Sequence, residues 1–128
     1  GAGGDKLDVD EDWIVEHSLQ VSRMLPGGVS IVGLYAFGSD AAVKAALPAL
    51  QQATIEVAKA NDAQHSASTR SRHQVCNERL ILHLSSTTRK YALKRCKLDA
   101  GMSATPAPVE VKMGRVMNNL VCLQAKYR

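Results

Sequence analysis

The stretch that decides the fold is residues 29–37, VSIVGLYAF, which Gly38 and Ser39 follow. Apolar residues occupy both alternating faces of this stretch, a pattern typical of a strand that is covered on both sides. We therefore predict a strand at the centre of its sheet. Gly33 lies inside it, and a residue without a side chain lets a neighbouring element approach closely.

The residues before this strand predict a helix over roughly residues 12–24. Asp10 can cap its first turn, where acidic residues also complement the helix dipole. Ile14 begins an apolar series at helical spacing, and the sequence PGG at residues 26–28 ends it. We expect Trp13 and Ile14 to be the residues that dock this helix.

The residues after the strand predict a second helix, which Ser39 can cap. Proline in a helix removes a hydrogen bond and clashes with the preceding turn, so Pro48 predicts either a kink or two abutting helices. Residues 61–77 are polar and aperiodic, which predicts a loop. The apolar stripe of the helix consists of Val43, Leu47, Leu50, Thr54 and Val57.

Two further strands are predicted over residues 78–86 and 90–98, joined by a turn at Thr87 and Thr88. Lysines in the second strand indicate an exposed or edge region. Residues 99–114 predict a loop and residues 116–127 a last strand. In the first strand Leu80, Leu82 and Leu84 alternate with Ile81 and His83. This order predicts an α+β fold, a mainly antiparallel sheet with two helices packed on it.

Composition limits the classes of protein that the chain can represent. Its 128 residues, 45% hydrophobic and 22% charged, fit one domain. No stretch is long and apolar enough for a membrane helix, so we expect the chain to be soluble. Aromatic residues make up only 4%, which argues against a stacking platform for single-stranded nucleic acid. Three widely spaced cysteines favour a reducing compartment.

Charge is distributed unevenly along the chain. Residues 1–16 hold six acidic residues and one basic residue, a net charge of −5, whereas residues 63–128 hold twelve basic and three acidic residues, a net charge of +9. The basic half is either a solvated surface or a site for nucleic acid, an anionic membrane surface or an acidic partner. The residues that would carry such binding are Arg89, Lys90, Lys94, Arg95 and Lys97.

Catalytic and cofactor motifs are missing from the sequence. No two of the four histidines have the spacing of a metal site, and no glycine-rich phosphate loop is present. His73 and Cys76 are close enough in sequence for a thiolate and its base, but they fall in the predicted loop. We therefore expect no cofactor, no bound metal, no small-molecule substrate and no enzymatic activity. A hydrolase is the alternative, and it would show a metal or a reactive Cys76.

The sequence resembles the odorant-response-abnormal-4-like family. The similarity is strongest in DWIVEHSLQVSRMLPGG at residues 12–28 and VSIVGLY at residues 29–35, with QVSRMLPGG the most specific run. Weaker similarity continues through ERLILHLSSTTRK at residues 78–90 and the region at residues 103–106. Members of the family start earlier and end in a membrane anchor, so the resemblance implies that this chain is an internal fragment of a longer protein.

That resemblance implies a fold, a partner and a location. It implies an MPN-like domain over residues 10–128, either complete or without its first strands. Residues 1–9 are predicted to be a flexible leader, because the sequence GAGG at residues 1–4 has no apolar content to anchor it. It further implies a scaffold that binds the cysteine protease specific for the ubiquitin-fold modifier, at the cytosolic face of the endoplasmic reticulum membrane, with a link to receptor trafficking. The alternative function is a basic module that binds nucleic acid or an anionic surface, of which nucleic acid is the less favoured ligand.

The resemblance also implies that an MPN-like domain in this chain is not catalytic. A metalloprotease of that kind carries the pattern HxH at the end of the strand at residues 32–35, followed by Ser and Asp. The matching positions here are Ala36, Gly38, Ala46 and Ala49. None of these residues can ligate zinc or activate water.

Trp13 and Met24 are the candidate partner-binding residues. Both lie on the first predicted helix and are large enough to anchor an interface. The alternative is that both face the core of the domain, as most large apolar side chains do.

Overall fold

The computed structural model describes residues 6–26, 29–66 and 77–114. Helix α1 spans Glu11–Met24, strand β1 spans Gly33–Gly38 and helix α2 spans Asp40–Ser66. Strands β2 (Glu78–Ser85) and β3 (Tyr91–Lys97) follow, then a short 3-10 helix at Gly101–Ser103 and strand β4 at Ala107–Val109. The predicted α+β class is confirmed, and the predicted last strand at residues 116–127 lies outside the described residues.

The sheet has the strand order β1-β2-β3-β4. Strand β1 is parallel to β2, while β2 with β3 and β3 with β4 are antiparallel. The predicted hairpin of β2 and β3 is confirmed, with a turn that includes Thr87 and Thr88. Our prediction that β1 is central and covered on both sides is wrong: within the described sheet it is an end strand. The pattern of apolar residues cannot distinguish these cases, because an uncovered apolar face looks the same in sequence as a covered one.

Helix α2 covers one face of the sheet, which we call the helix face. Its core consists of Ala36 from β1, Ile81 from β2 and Cys96 from β3, packed against Val43, Ala46 and Leu50 of α2. Two side-chain contacts link β2 to α2: His83 lies beside Asp40 at the start of α2, and Arg79 forms an ion pair with Asp62 near its end. The nitrogen-to-oxygen distances are 3.6 Å and 3.4 Å, and exposure of the acids limits what each contributes.

Helix α2 is longer than the sequence predicts. It continues through Pro48, so the alternative of two abutting helices is wrong. Pro48 and Lys44 are both exposed, and the carbonyl group that a proline leaves unbonded can be solvated there. The predicted loop at residues 61–77 is wrong for residues 61–66, which are helical, and residues 67–76 lie outside the described part.

Both helix starts follow the predicted capping. The carboxylate of Asp10 accepts a hydrogen bond from the backbone N–H of Trp13 at 3.0 Å, and the hydroxyl of Ser39 accepts one from Ala42 N–H at 3.2 Å. Such caps satisfy backbone donors that have no partner in the first helical turn.

Two segments pack where the sequence predicts irregular chain. Leu7 and Val9, within the predicted leader at residues 1–9, pack against the core, so the packed part of the chain begins before residue 10. The predicted loop at residues 99–114 contains β4, which pairs with Leu93–Arg95, and β3 is therefore an inner strand rather than an edge. Gln51 holds this region through hydrogen bonds from its amide nitrogen to the carbonyl oxygens of Gly101 and Ala104.

Candidate partner-binding site

A groove of about 520 Å³ lies between α1 and β1, and we call it the α1–β1 groove. Leu50 of α2 also contributes to it. Most of its lining is apolar, which is typical of surfaces that bind other molecules. Among the lining residues are Val9, Trp13, Ile14, Leu34, Tyr35 and Phe37.

A buried polar contact fixes α1 beside α2 and so sets one wall of the groove. The side-chain amide of Asn61 in α2 donates hydrogen bonds to the hydroxyl of Ser18 at 3.1 Å and to the carbonyl oxygen of Val57 at 2.8 Å. The Ser18 hydroxyl donates to the carbonyl oxygen of Val15 at 2.7 Å. Because Ser18 and Asn61 are both buried, their hydrogen bond joins the two helices away from solvent.

Exposed aromatic side chains form the rim of the groove. Trp13 is 62% exposed, and its ring stacks on His17 with centroids 4.9 Å apart and planes 10° from parallel. Tyr35 and Phe37 on β1 are 73% and 64% exposed. The expectation that Trp13 docks α1 in the core is therefore wrong, and Ile14, which is half-buried, lies on the inner side instead.

The second candidate, Met24, lies eleven residues after Trp13 on the same stripe of α1. It is 76% exposed and is not among the residues that line the groove. The alternative that Trp13 and Met24 face the core is wrong for both. The structure thus places Trp13 at the groove and Met24 on the same side of α1 beyond it.

The face of the sheet opposite α2 has no helix on it among the described residues, and we call it the open face. It is apolar towards the C-terminal end of β1. The register aligns its side chains in rows across the strands: Tyr35 with Leu82 and Leu93, and Phe37 with Leu84 and Tyr91. The leucines are half-buried by their neighbours, whereas the three aromatic residues remain exposed. Tyr35 and Phe37 therefore belong both to this face and to the rim of the groove.

Sequence reasoning missed Tyr35 and Phe37 as surface residues. It placed them in a doubly covered strand because every residue of that stretch looked suitable for a core. The signal that could have found them is their spacing: Phe37 lies between the small residues Ala36 and Gly38, and Tyr35 comes two residues before it, so that the two aromatic side chains share one face of β1. The exposed face only became identifiable once the register with β2 was known.

The electrostatic surroundings of the groove are acidic. Asp8 lines the groove. Asp12 and Glu16, which are both exposed, lie near Trp13 on α1. Neither lysine nor arginine occurs among the described lining residues. A bound segment would therefore meet negative charge along the α1 side of the groove.

The predicted basic residues are not gathered on one surface. The register places Lys94 on the helix face beside Ile81, whereas Arg95 and Lys97 point to the open face beside Leu80 and Glu78. Arg95 forms an ion pair with Glu78 at 3.4 Å. Because successive side chains of β3 point to opposite faces of the sheet, the basic residues that are adjacent in sequence do not form one basic surface.

Groups with catalytic or metal-binding potential are dispersed in the described part of the chain. No set of three His, Cys, Asp or Glu residues there could hold a metal ion. His83 is half-buried and lies 3.3 Å from the carbonyl oxygen of Gly38, as expected for a structural histidine. Burial raises the pKa of the Cys96 thiol, which disfavours its reactive thiolate form. His73 and Cys76 lie outside the described residues.

Two of the four positions matched above to the zinc-binding residues of an MPN metalloprotease, Ala36 and Ala46, lie in the core. Ala36 of β1 and Ala46 of α2 belong to the same buried cluster, and Gly38 is the last residue of β1. Ala49 is exposed on α2. None of the four presents a ligand atom beyond its backbone.

No helix in the described part of the chain is long and apolar enough to cross a membrane. No solved structure matches the chain. The chain is similar to proteins named odr-4 homolog: it is 31% identical over 111 residues to that of Homo sapiens and 32% identical over 104 residues to that of Mus musculus.

These alignments cover 85% and 80% of this chain but only 24% and 23% of the relatives. A third alignment, to the homologue of Xenopus tropicalis, is 29% identical over 112 residues. The chain thus spans about a quarter of the length of the relatives it matches. The family model described as "Odorant response abnormal 4-like" matches residues 2–128, and the chain belongs to that family.

Proposed function

We propose that this chain is a non-catalytic, MPN-like scaffold domain that binds a cysteine protease specific for the ubiquitin-fold modifier, which we call the modifier protease. In this proposal the parent protein holds the modifier protease at the endoplasmic reticulum and is linked to receptor trafficking. Family membership supports the proposal. So do the alanine and glycine residues at the four positions where an MPN metalloprotease would hold zinc.

The observation that carries the binding function is the exposed aromatic rim of the α1–β1 groove. Trp13, Tyr35 and Phe37 are all more than half exposed. Aromatic side chains dominate the energetic centres of protein interfaces, since each buries a large area with few rotatable bonds. An apolar surface of this kind costs free energy in water and is stabilised when a partner covers it.

Size-exclusion chromatography of the 128-residue chain with the modifier protease of the same organism tests the proposal. We expect the two proteins to elute together. Trp13→Ala should weaken the complex by about tenfold or more, because a rim anchor is lost. Met113→Ala is the matched control, since Met113 is 83% exposed but does not line the groove.

Separate elution at protein concentrations far above those in cells would contradict the proposed function. Equal losses in Trp13→Ala and Met113→Ala would place the contact elsewhere on the surface. Met24→Ala tests how far the contact extends along α1, and we expect a smaller loss than for Trp13→Ala.

A further inference from the structure

The two edges of the sheet are built differently. Strand β4 is only three residues long, contains Pro108 and is preceded by Pro106. Proline and short length are devices by which proteins protect a free edge from pairing with another strand. Strand β1 has six residues, GLYAFG, without charge or proline. Its sequence contains neither of these protective features. This is expected of a strand that pairs with another strand on the side away from β2 when the protein is functioning.

The hydrogen bonds of β1 show which of its backbone groups face β2. The carbonyl oxygens of Val32 and Gly38 accept bonds from the N–H groups of Leu80 and Ser86, each at 2.9 Å. Alternate residues of a strand direct their backbone groups to opposite sides, so residues 32, 34, 36 and 38 face β2. Gly33, Tyr35 and Phe37 therefore direct their N–H and C=O groups away from β2, towards an edge that no described strand occupies.

The surroundings of that edge specify the chemistry of an occupant. The α1–β1 groove runs beside it and offers apolar side chains, among them Trp13 and Leu34. Asp8 lines the groove and Glu16 lies on the same helix as Trp13, with no described lysine or arginine in the lining. A matching strand would place apolar residues in the groove and basic residues against the acidic side.

We propose that the free edge of β1 binds an extended segment of the partner protein, which adds as a further strand and carries alternating apolar residues with basic residues beside them. The inference rests on the proposed function, because it names the mode by which the modifier protease binds. Backbone hydrogen bonds supply affinity in such strand addition, and the flanking side chains supply specificity.

Residue-resolved amide hydrogen exchange on the 128-residue chain, alone and saturated with the modifier protease, tests the inference. In the chain alone, Leu34 and Ala36 should exchange slowly while Tyr35 and Phe37 exchange fast. In the complex, Tyr35 and Phe37 should slow by about tenfold or more, because their N–H groups gain acceptors. Protection of Tyr35 and Phe37 in the chain alone would overturn the inference, since the edge would then be filled by this chain or by a second copy.

The outcomes separate the inference from the proposed function. A complex in which Tyr35 and Phe37 still exchange fast overturns strand addition and leaves the scaffold function standing. Failure to form any complex overturns both.

A pair of variants provides an independent test of the same edge. Phe37→Pro removes an outward N–H that takes no part in pairing with β2, whereas Phe37→Ala removes the same ring and keeps that donor. We expect Phe37→Pro to bind the modifier protease about tenfold more weakly than Phe37→Ala, provided that both have the circular dichroism spectrum of the wild type. Equal affinities would overturn the inference, and the exchange experiment on the wild type decides it if Phe37→Pro fails to fold.

Discussion

The two faces of the sheet come from the same strands but meet opposite surroundings. On the helix face Ile81 and Cys96 are 1% and 2% exposed beneath α2, whereas Tyr35 and Phe37 on the open face are largely in water. All four side chains are mainly apolar. The difference shows that one face carries the stability of the described fold, while the other keeps apolar area available for binding.

Ile81→Ala should produce the largest effect, because it removes the most buried large side chain of the helix face. The loss of packing and the cavity left behind are expected to cost about 2–5 kcal/mol of unfolding free energy. Urea denaturation followed by circular dichroism measures it. A loss comparable to that of an exposed residue would contradict the assignment of the core to this face.

Asn61→Ala should have an intermediate effect by loosening α1 from α2. It removes the buried hydrogen bond to Ser18 and the one to Val57, and the net loss of such a hydrogen bond is expected to cost about 1 kcal/mol. Thermal unfolding checks the cost. Because α1 forms one wall of the groove, binding of the modifier protease should weaken as well. A variant that loses stability but binds like the wild type would show that the position of α1 does not matter for binding.

Tyr35→Ser and Phe37→Ser should change stability little, although each removes a large aromatic ring. Exposed side chains away from special features usually contribute within about 0.5 kcal/mol. The urea experiment used for Ile81→Ala provides the direct contrast between the faces. A cost above about 2 kcal/mol would mean that these rings are buried in the folded chain, against their observed exposure.

The smallest signal is expected from alkylation of Cys96 in the folded chain. Burial raises the pKa of its thiol, so at neutral pH less thiolate is present than in a free cysteine. As pH rises, the thiolate forms later than usual, and stability should decline above the ordinary thiol range because the folded state disfavours the charged form. Iodoacetamide labelling with peptide mass mapping should show modification of Cys96 only after unfolding. Rapid labelling of the native chain would contradict its burial.

The sequence was informative wherever the signal was local. The caps at Asp10 and Ser39 and the alternation of β2 depend on neighbouring residues, and all three appear as predicted. The end of α2 was missed because residues 61–66 have a polar, loop-like composition. In the fold Asn61 contacts Ser18 and Asp62 contacts Arg79, and such tertiary contacts sustain helix that local preference does not indicate.

The position of β1 was missed for a different reason. Its apolar pattern shows that both faces of the strand could be buried. How many strands pair with it depends on the rest of the sheet, which the pattern does not describe. The candidate site shows the same limit. Trp13 was identified as a large side chain on an amphipathic helix, while Tyr35 and Phe37 became candidates only when the register placed them together beside Trp13.

The affinity of the double variant Tyr35→Ser/Phe37→Ser for the modifier protease, measured by isothermal titration calorimetry against the wild type, tests the central claim most directly. The claim is that the exposed β1 side of the sheet is the binding surface. We predict a dissociation constant at least about tenfold higher for the double variant, equivalent to about 1.4 kcal/mol, with unfolding free energy close to the wild-type value. A dissociation constant equal to that of the wild type would contradict the claim.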